Sequence, residues 1–504
     1  MAKNIGLENF LVFGAPDIQS PEIRELLDCL ESTWLGTGPR VARFEQDFAA
    51  YKGLAADHGA AVNSCTAASH VSMIAAGIGP GDEVITTPMT FCATVNAIID
   101  AGATPVLAVV DPVTMNIDPD AVAASITPRT RAILPVHFAG RPCEMDALVA
   151  LADRHGLRII EDAAHAIETE YHGRRAGTFG DFGCFSFYVT KNFATGEGGM
   201  VAARYKADIH RIKALALRGM TKDAWHRYGD KGFRHYQVVE AGFEYNMMDL
   251  HAAIGIHQLQ RVERGWERRR EIWNRYQDAF AALPETRPAD PEPNTQHAFR
   301  LYTLLIDEAR CGMSRDAFLE AMTARGIGVP HLSLAEHPHY RERFGWRASY
   351  YAAELIGCQT VSLPLSPKLT NDNVARVIEA VRSTIKSGAS ASLVKSFGTT
   401  KSPKSTRYLT SDCTPIFPAA RTTTDVLVGT PSVILSTNDR TVCGDALCSS
   451  PLRRRDPRPL RHLGELPAPY TYRGRATRSR THIDQGIRSG VLPPARYRAA
   501  RWGG

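Results

Sequence analysis

The chain has 504 residues, 44% of them hydrophobic and 22% charged, with a formal charge of +6. That length exceeds what one hydrophobic core serves, so two or more domains are expected. The composition is that of a soluble globular protein, and no apolar run approaches the roughly 20 residues of a membrane span. The opening MAKNIGLENFLVFGAPD lacks the apolar core and small-residue cleavage site of a signal peptide. Ten cysteines are scattered without Cys-x-x-Cys pairs, a pattern of reduced cytosolic thiols rather than of disulfides or a zinc site. The charge is uneven. Residues 388–504 carry 19 Lys and Arg against 7 Asp and Glu, a net of +12 that leaves the first 387 residues at −6. The body is mildly acidic, and no nucleic-acid partner is expected for it.

Up to about residue 255, short apolar runs alternate with helix-like stretches. GDEVITTP (81–88), ATPVLAVVD (103–111), RAILPVHFAG (131–140) and LRIIEDAAHA (157–166) read as buried strands ending in polar or glycine punctuation. Between them, CATVNAIIDAG (92–102) and MDALVALADRHG (145–156) read as helices, the second closed by Gly156. This alternation argues for a largely parallel sheet with helices on both faces, binding ligands beyond the carboxyl ends of its strands. One long helical segment at 250–283 then leads into a smaller α/β region. That region has a strand at 299–307, a helix at 314–326 and a closing helix at 370–385 with a good apolar stripe. The expected division is a large domain at 1–255, a small carboxyl-terminal domain at 256–387 and a basic tail at 388–504. The tail is rich in Ser, Thr, Pro and Arg, which predicts little order. Its arginine runs (Arg453 to Arg455, and those from Arg473 to Arg480) read as a solvated segment rather than an anion-binding surface.

In FSFYVTKNFATGEGGM (185–200) a short apolar strand ends at Thr190, Lys191 and Asn192, ahead of a glycine-rich turn. Lys191 reads either as a solvated surface amine or as an amine held in a cleft, where desolvation makes it a nucleophile. Asp162, in IIEDAAHA, follows an apolar strand, where a buried carboxylate needs a cation. The protonated ring nitrogen of pyridoxal phosphate is such a cation; a helix N-cap is the other reading. That cofactor also needs a lysine for its Schiff base and a cradle for its phosphate. Lys191 supplies the first. Asn63, Ser64, Cys65, Thr66, Ala67 and Ala68, small and hydroxylated ahead of a helix, supply the second or simply cap that helix. Ser186 adds a hydroxyl just before the lysine. Phe91 sits past a strand end, placed either to stack on a flat cofactor or to pack in the core.

Seven blocks in order extend the pattern: WLGTGPRVARFEQDFAAYKG (34–53), NSCTAA (63–68), GPGDEVITTPMTFCAT (79–94), EDAAHA (161–166), FSFYVTKN…GEGG (185–199), GFEYNMMDLHAAIGIHQL (242–259) and VSLPLSPKLT (361–370). With these the chain resembles the DegT/StrS-type sugar aminotransferases, fold-type I pyridoxal-phosphate enzymes, over roughly residues 8–386. The resemblance implies a large, mainly parallel α/β/α domain and a smaller α/β domain. It implies that Lys191 carries the cofactor and shuttles the proton, that Asp162 pairs with the ring nitrogen and that His165 stands near the ring hydroxyl. Phe91 would stack on the ring, and Cys65, Thr66, Ala67 and Ser186 would hold the phosphate. Asn246 would reach the phosphate of a neighbouring subunit, making the active unit a homodimer. Arg218 and His331 fall where members contact substrate, although LALRGMTKD lacks the histidine of the family's Arg-x-His-Gly and HLSLAEHPHY keeps the family's pattern only loosely.

The activity so implied is cytoplasmic transfer of an amino group from glutamate or glutamine to a keto-sugar nucleotide. C4 of a UDP- or dTDP-linked 4-keto sugar is the expected position, for polysaccharide, lipid A or amino-sugar biosynthesis. Amination of a keto-cyclitol, as in aminoglycoside pathways, is the alternative. A sugar dehydratase of the same scaffold carries histidine where this chain has Lys191. A regulatory protein using the basic tail leaves the cofactor set unexplained.

Overall fold

Seven strands form the main sheet: β1 (Gly59–Val62), β2 (Glu83–Thr86), β3 (Thr104–Leu107), β4 (Thr130–Ile133), β5 (Arg158–Asp162), and, after the short β6 (Glu170–Tyr171) and β7 (Arg174–Arg175), β8 (Phe182–Ser186) and β9 (Gly199–Ala203). The computed structural model of the protein describes residues 10–220, 236–284, 287–330, 337–344 and 350–397. Residues 398–504 lie outside that set.

The strand order is β1-β9-β8-β5-β4-β2-β3. Neighbours from β8 through β5, β4 and β2 to β3 run parallel, and only β9 runs against its two partners. The sheet is thus mainly parallel, as the strand–helix alternation predicts. Successive residues alternate between two cores. Val62, Val84, Ala132, Ile160 and Val201 enter one, while their neighbours Ala61, Ile85, Ile133, Ile159 and Met200 enter clusters on the opposite face. Helices Cys65–Ala75 and Lys206–Ala216 cover the first face through Val71, Ile209 and Ile212. Phe44 and Phe48 of helix Pro39–Tyr51 pack edge-on against Phe187 and Phe185 on the second. A sheet covered on both sides leaves its strand ends as the open place for a ligand.

The helical segment at 250–283 is not continuous. It comprises helices Asp249–Gln260 and Val262–Phe280, which meet at Arg261. Arg261 leaves helical geometry (φ −119°, ψ 15°), and its guanidinium is tied to Glu22 and to the Asp17 carbonyl. A tertiary ion pair overrides a helix-compatible sequence. Beyond the break, Trp273, Tyr276 and Phe280 build a second core with Tyr302 and Leu304 of β11 (Tyr302–Leu305) and Val361 and Leu363 of β12 (Thr360–Leu363), while β10 (Thr295–Gln296) pairs with β6. Helix Asn371–Phe397 closes this core through Val374, Val377 and Val381, and runs on into the segment that begins at 388.

Candidate active site

Asp162 is the last residue of β5, so the sheet delivers its carboxylate to the strand-end crevice. The residue is 8% exposed. Its Oδ2 accepts the Thr94 hydroxyl at 2.8 Å and its Oδ1 accepts the Ala164 N–H at 3.1 Å. Thr94 shares a further hydroxyl bond of 2.6 Å with Thr90. Ala164 closes a local turn, but Thr94 arrives from another layer and fixes the acid from outside its own loop.

β8 stops at Ser186, earlier than the apolar run to Val189 predicts. The chain folds back instead: Phe187 N–H donates to Gly198 O, Thr195 N–H donates to Phe187 O, and Tyr188 bridges Gly196. Lys191 therefore lies in the β8–β9 loop, its N–H donating to Tyr188 O at 2.8 Å. Gly14 crosses this loop at φ +64°, where a Cβ would sit 3.0 Å from Thr190 O. Burial and the Arg300 charge pull the Lys191 amine down to about 8, against the opposing pull of Cys65 and Asp162.

The small-residue turn behaves as a helix N-terminus. Ser64 is the N-cap of helix Cys65–Ala75 and its Oγ accepts the Ala67 N–H at 3.1 Å. Ala67 is thereby committed to its own helix, and it does not line the cavity. The Cys65 and Thr66 N–H groups find no acceptor among the described residues. β9 closes on this turn so tightly that a Cβ on Gly199 would meet the Ser64 backbone at 2.5 Å. A side chain there would push the turn off the sheet.

These parts face one cavity of about 570 Å³, lined by Cys65, Thr66, Phe91, Asp162, His165, Ser186 and Lys191 among others. Phe91, 66% exposed, stands at the N-terminus of helix Cys92–Asp100. His165 is held well below its ordinary pKa by burial and by the Lys191 and Arg300 charges, so it is neutral, and its buried Nδ1 has no partner among the described residues. Two candidates lie elsewhere in the chain. Asn246 donates to Thr37 Oγ1 at 2.7 Å, and Arg218 pairs with Glu244, so neither lines the cavity. His331 lies outside the described residues. Sequence reading missed Thr94, Thr90 and Arg300. The threonines sat in the same PMTFCAT stretch as Phe91; Arg300 was hidden in an apolar strand pattern, HAFRLYTLLI.

The residues present fit pyridoxal phosphate. Open N–H groups at a helix N-terminus suit a phosphate dianion. A buried carboxylate in the same cavity suits a protonated ring nitrogen, and the orphaned His165 Nδ1 suits a ring oxygen. The model of the DegT/DnrJ/EryC1/StrS aminotransferase family matches residues 16–382. The chain belongs to that family. It is 46% identical over 382 residues, 75% of this chain and 98% of the relative, to the spore coat polysaccharide biosynthesis protein SpsC of Bacillus subtilis. Among solved structures it resembles DesI, crystallised in the presence of its TDP-sugar product, with TM-score 0.67 and 32% identity over 77% of this chain and 96% of that one. It also resembles a Streptococcus pneumoniae sugar aminotransferase solved in PLP and PMP forms; for the PLP form the TM-score is 0.69 and the identity 28%, over 75% of this chain and 99% of that one. As a member of this family, the protein is a pyridoxal-phosphate-dependent sugar aminotransferase.

Proposed function

We propose that the enzyme moves an amino group from glutamate or glutamine to a keto-sugar nucleotide, at C4 of a UDP- or dTDP-linked 4-keto sugar, for polysaccharide or amino-sugar biosynthesis. The observation that carries this reading is the meeting of Lys191, Asp162 and the open N-terminus of helix Cys65–Ala75 in one cavity. The likeness to a polysaccharide biosynthesis protein and to a TDP-sugar enzyme supports the substrate class.

Pyridoxal phosphate, when bound, supplies an electron sink for the bond broken at the amine-bearing carbon. The chain's own residues do the rest. Cys65 and Thr66 N–H groups, with the Ser186 hydroxyl, would hold the phosphate. Asp162, steadied by Thr94, would keep the ring nitrogen protonated. His165, neutral, would stand by the ring oxygen. Lys191, with its amine near 8, takes a proton from the substrate carbon and returns it one position away. Phe91 would cover the ring face.

The active unit is proposed to be a homodimer. Helix Ser20–Glu31 exposes Ile23, Leu27 and Leu30 on one stripe, and Asn246 does not line its own cavity, which leaves both for a second subunit. A cytoplasmic location is proposed with this activity; no helix among the described residues is long and apolar enough to cross a membrane.

Purified protein supplied with pyridoxal phosphate is expected to show a visible absorbance band that Lys191→Ala removes. A panel of keto-sugar nucleotides with glutamate should then give one product heavier by the exchange of oxygen for an amine. A colourless protein that takes up no cofactor ends this reading.

A further inference from the structure

A second cavity of about 390 Å³ adjoins the first and shares with it only Thr190, Lys191 and Arg300. Residues 14–17, the first turns of helix Val262–Phe280 and the loop after β12 form its other walls. Seven cationic side chains line it against one carboxylate, Asp17, which already accepts Gln19 Nε2 at 2.7 Å. The amino-transfer chemistry uses only Lys191 among the seven, so the rest of this charge has no task in it.

Helix Val262–Phe280 supplies the core of the charge. Arg264 and Arg268 are one turn apart, where like charges repel. Arg268 is relieved by Glu271 at 2.7 Å, whereas Arg264, and Lys368 from the loop after β12, make no ion pair among the described residues. Arg269 has 1% of its side chain exposed. It spends Nη2 on Glu168 at 2.6 Å and Nε on the Ala298 carbonyl at 3.3 Å, and its buried Nη1 is left without a partner. Glu168 cannot serve it, because its other oxygen accepts Asn192 at 2.7 Å. A buried guanidinium N–H without an acceptor is costly, and a fold that keeps one has a ligand to receive.

Gly265 gives that ligand room. It lies inside the helix, where glycine is a weak choice. A Cβ there would stand 3.3 Å from Pro367 Cγ and 3.4 Å from Arg269 Nη1, and both of those residues are cavity walls. Any side chain at 265 would therefore enter the gap between them.

The number and spread of the cations set the chemistry of the ligand. A carboxylate carries one charge and two oxygens in a plane, which answer a single guanidinium fork. A phosphate group carries more charge and directs oxygens tetrahedrally, so it can meet cations from a helix and from a loop at once.

We propose that the second cavity is an anion site for a phosphate or diphosphate group, separate from the cofactor cradle at helix Cys65–Ala75. Arg264, Arg269 and Lys368 hold the group. Once bound, it ties the Lys191 loop to helix Val262–Phe280 and to the loop after β12.

The test titrates protein loaded with pyridoxal phosphate, so that the cofactor cradle is filled, with inorganic diphosphate, UDP and glutarate at about 0.15 M salt. Wild type is compared with the double variant Arg264→Gln/Lys368→Gln, which changes two exposed side chains, and with Gly265→Leu, which fills the gap with a good helix former. Diphosphate is expected to bind wild type and raise its melting temperature. Its affinity should fall at least about tenfold in each variant, with the visible band and the unliganded melting temperature kept. A parallel loss for UDP would name a nucleotide as the source of the phosphate group, and unchanged UDP affinity would name the free anion. A wild type that takes up no diphosphate overturns the proposal. So does undiminished affinity in the double variant, or in Gly265→Leu, which alters no charge. An equal loss for glutarate would make the cavity a carboxylate site and overturn it as well.

Discussion

The Thr94 hydroxyl donates to Asp162 Oδ2 at 2.8 Å, joining residues 68 positions apart. Thr90 backs Thr94 at 2.6 Å, so the acid is held from two turns of sequence that follow β2. A hydrogen bond to a charged group contributes about 1.5–3 kcal/mol. Thr94→Val is therefore expected to lower kcat/KM roughly ten- to a hundredfold with cofactor still bound. Asp162→Ala should remove nearly all turnover. Near-normal activity in Asp162→Ala, measured with saturating cofactor, would show that the acid has been given the wrong role.

Glu168 and Arg269 form an ion pair at 2.6 Å with 0% and 1% of their side chains exposed. Asn192, next to Lys191, donates to the other Glu168 oxygen, so the pair also anchors the lysine loop. Removing one member leaves a buried charge, which costs about 3–5 kcal/mol. Glu168→Gln is expected to lose stability of that order in urea unfolding. A change below about 1 kcal/mol, the scale of a surface pair, would mean that the site admits water.

Lys52 is 3% exposed, and its Nζ donates to Ile167 O at 2.8 Å and Ala176 O at 2.9 Å. Burial, aided by the Arg175 charge, lowers its amine to about 7. The unfolded chain holds this proton until about 10.4. Between those values the unfolded state binds more protons, so rising pH favours the folded state. The melting-temperature advantage of wild type over Lys52→Met is thus expected to grow from pH 7 toward pH 10. A gap that shrinks over that range would show that Lys52 stays charged when folded.

The family match ends at 382, and the helix that closes the second core runs to Phe397. Truncation after Phe397 is expected to leave cofactor uptake and amino transfer unchanged. Truncation after Gln359, which removes β12 and that helix, should abolish folding. Lower activity in residues 1–397 than in the full chain, assayed side by side, would make the basic tail part of the enzyme.

Local chemistry made much of this protein legible in its sequence. A strand-end acid, a lysine before a glycine-rich turn and a small-residue helix start each announce themselves within a few residues, because strand periodicity and helix capping are short-range effects. The mainly parallel sheet followed from the same periodicity. Partnership across the fold did not. Thr94 under Asp162 and the break at Arg261 tied to Glu22 depend on which atoms meet after packing. Charge state is the extreme case. Arg300 and Lys191 have ordinary side chains in the sequence, and only burial beside each other, with Glu168 already paired with Arg269, lowers the Lys191 amine to about 8 and the Arg300 guanidinium to about 10. Desolvation acts through three-dimensional surroundings, so tertiary structure alone could decide it.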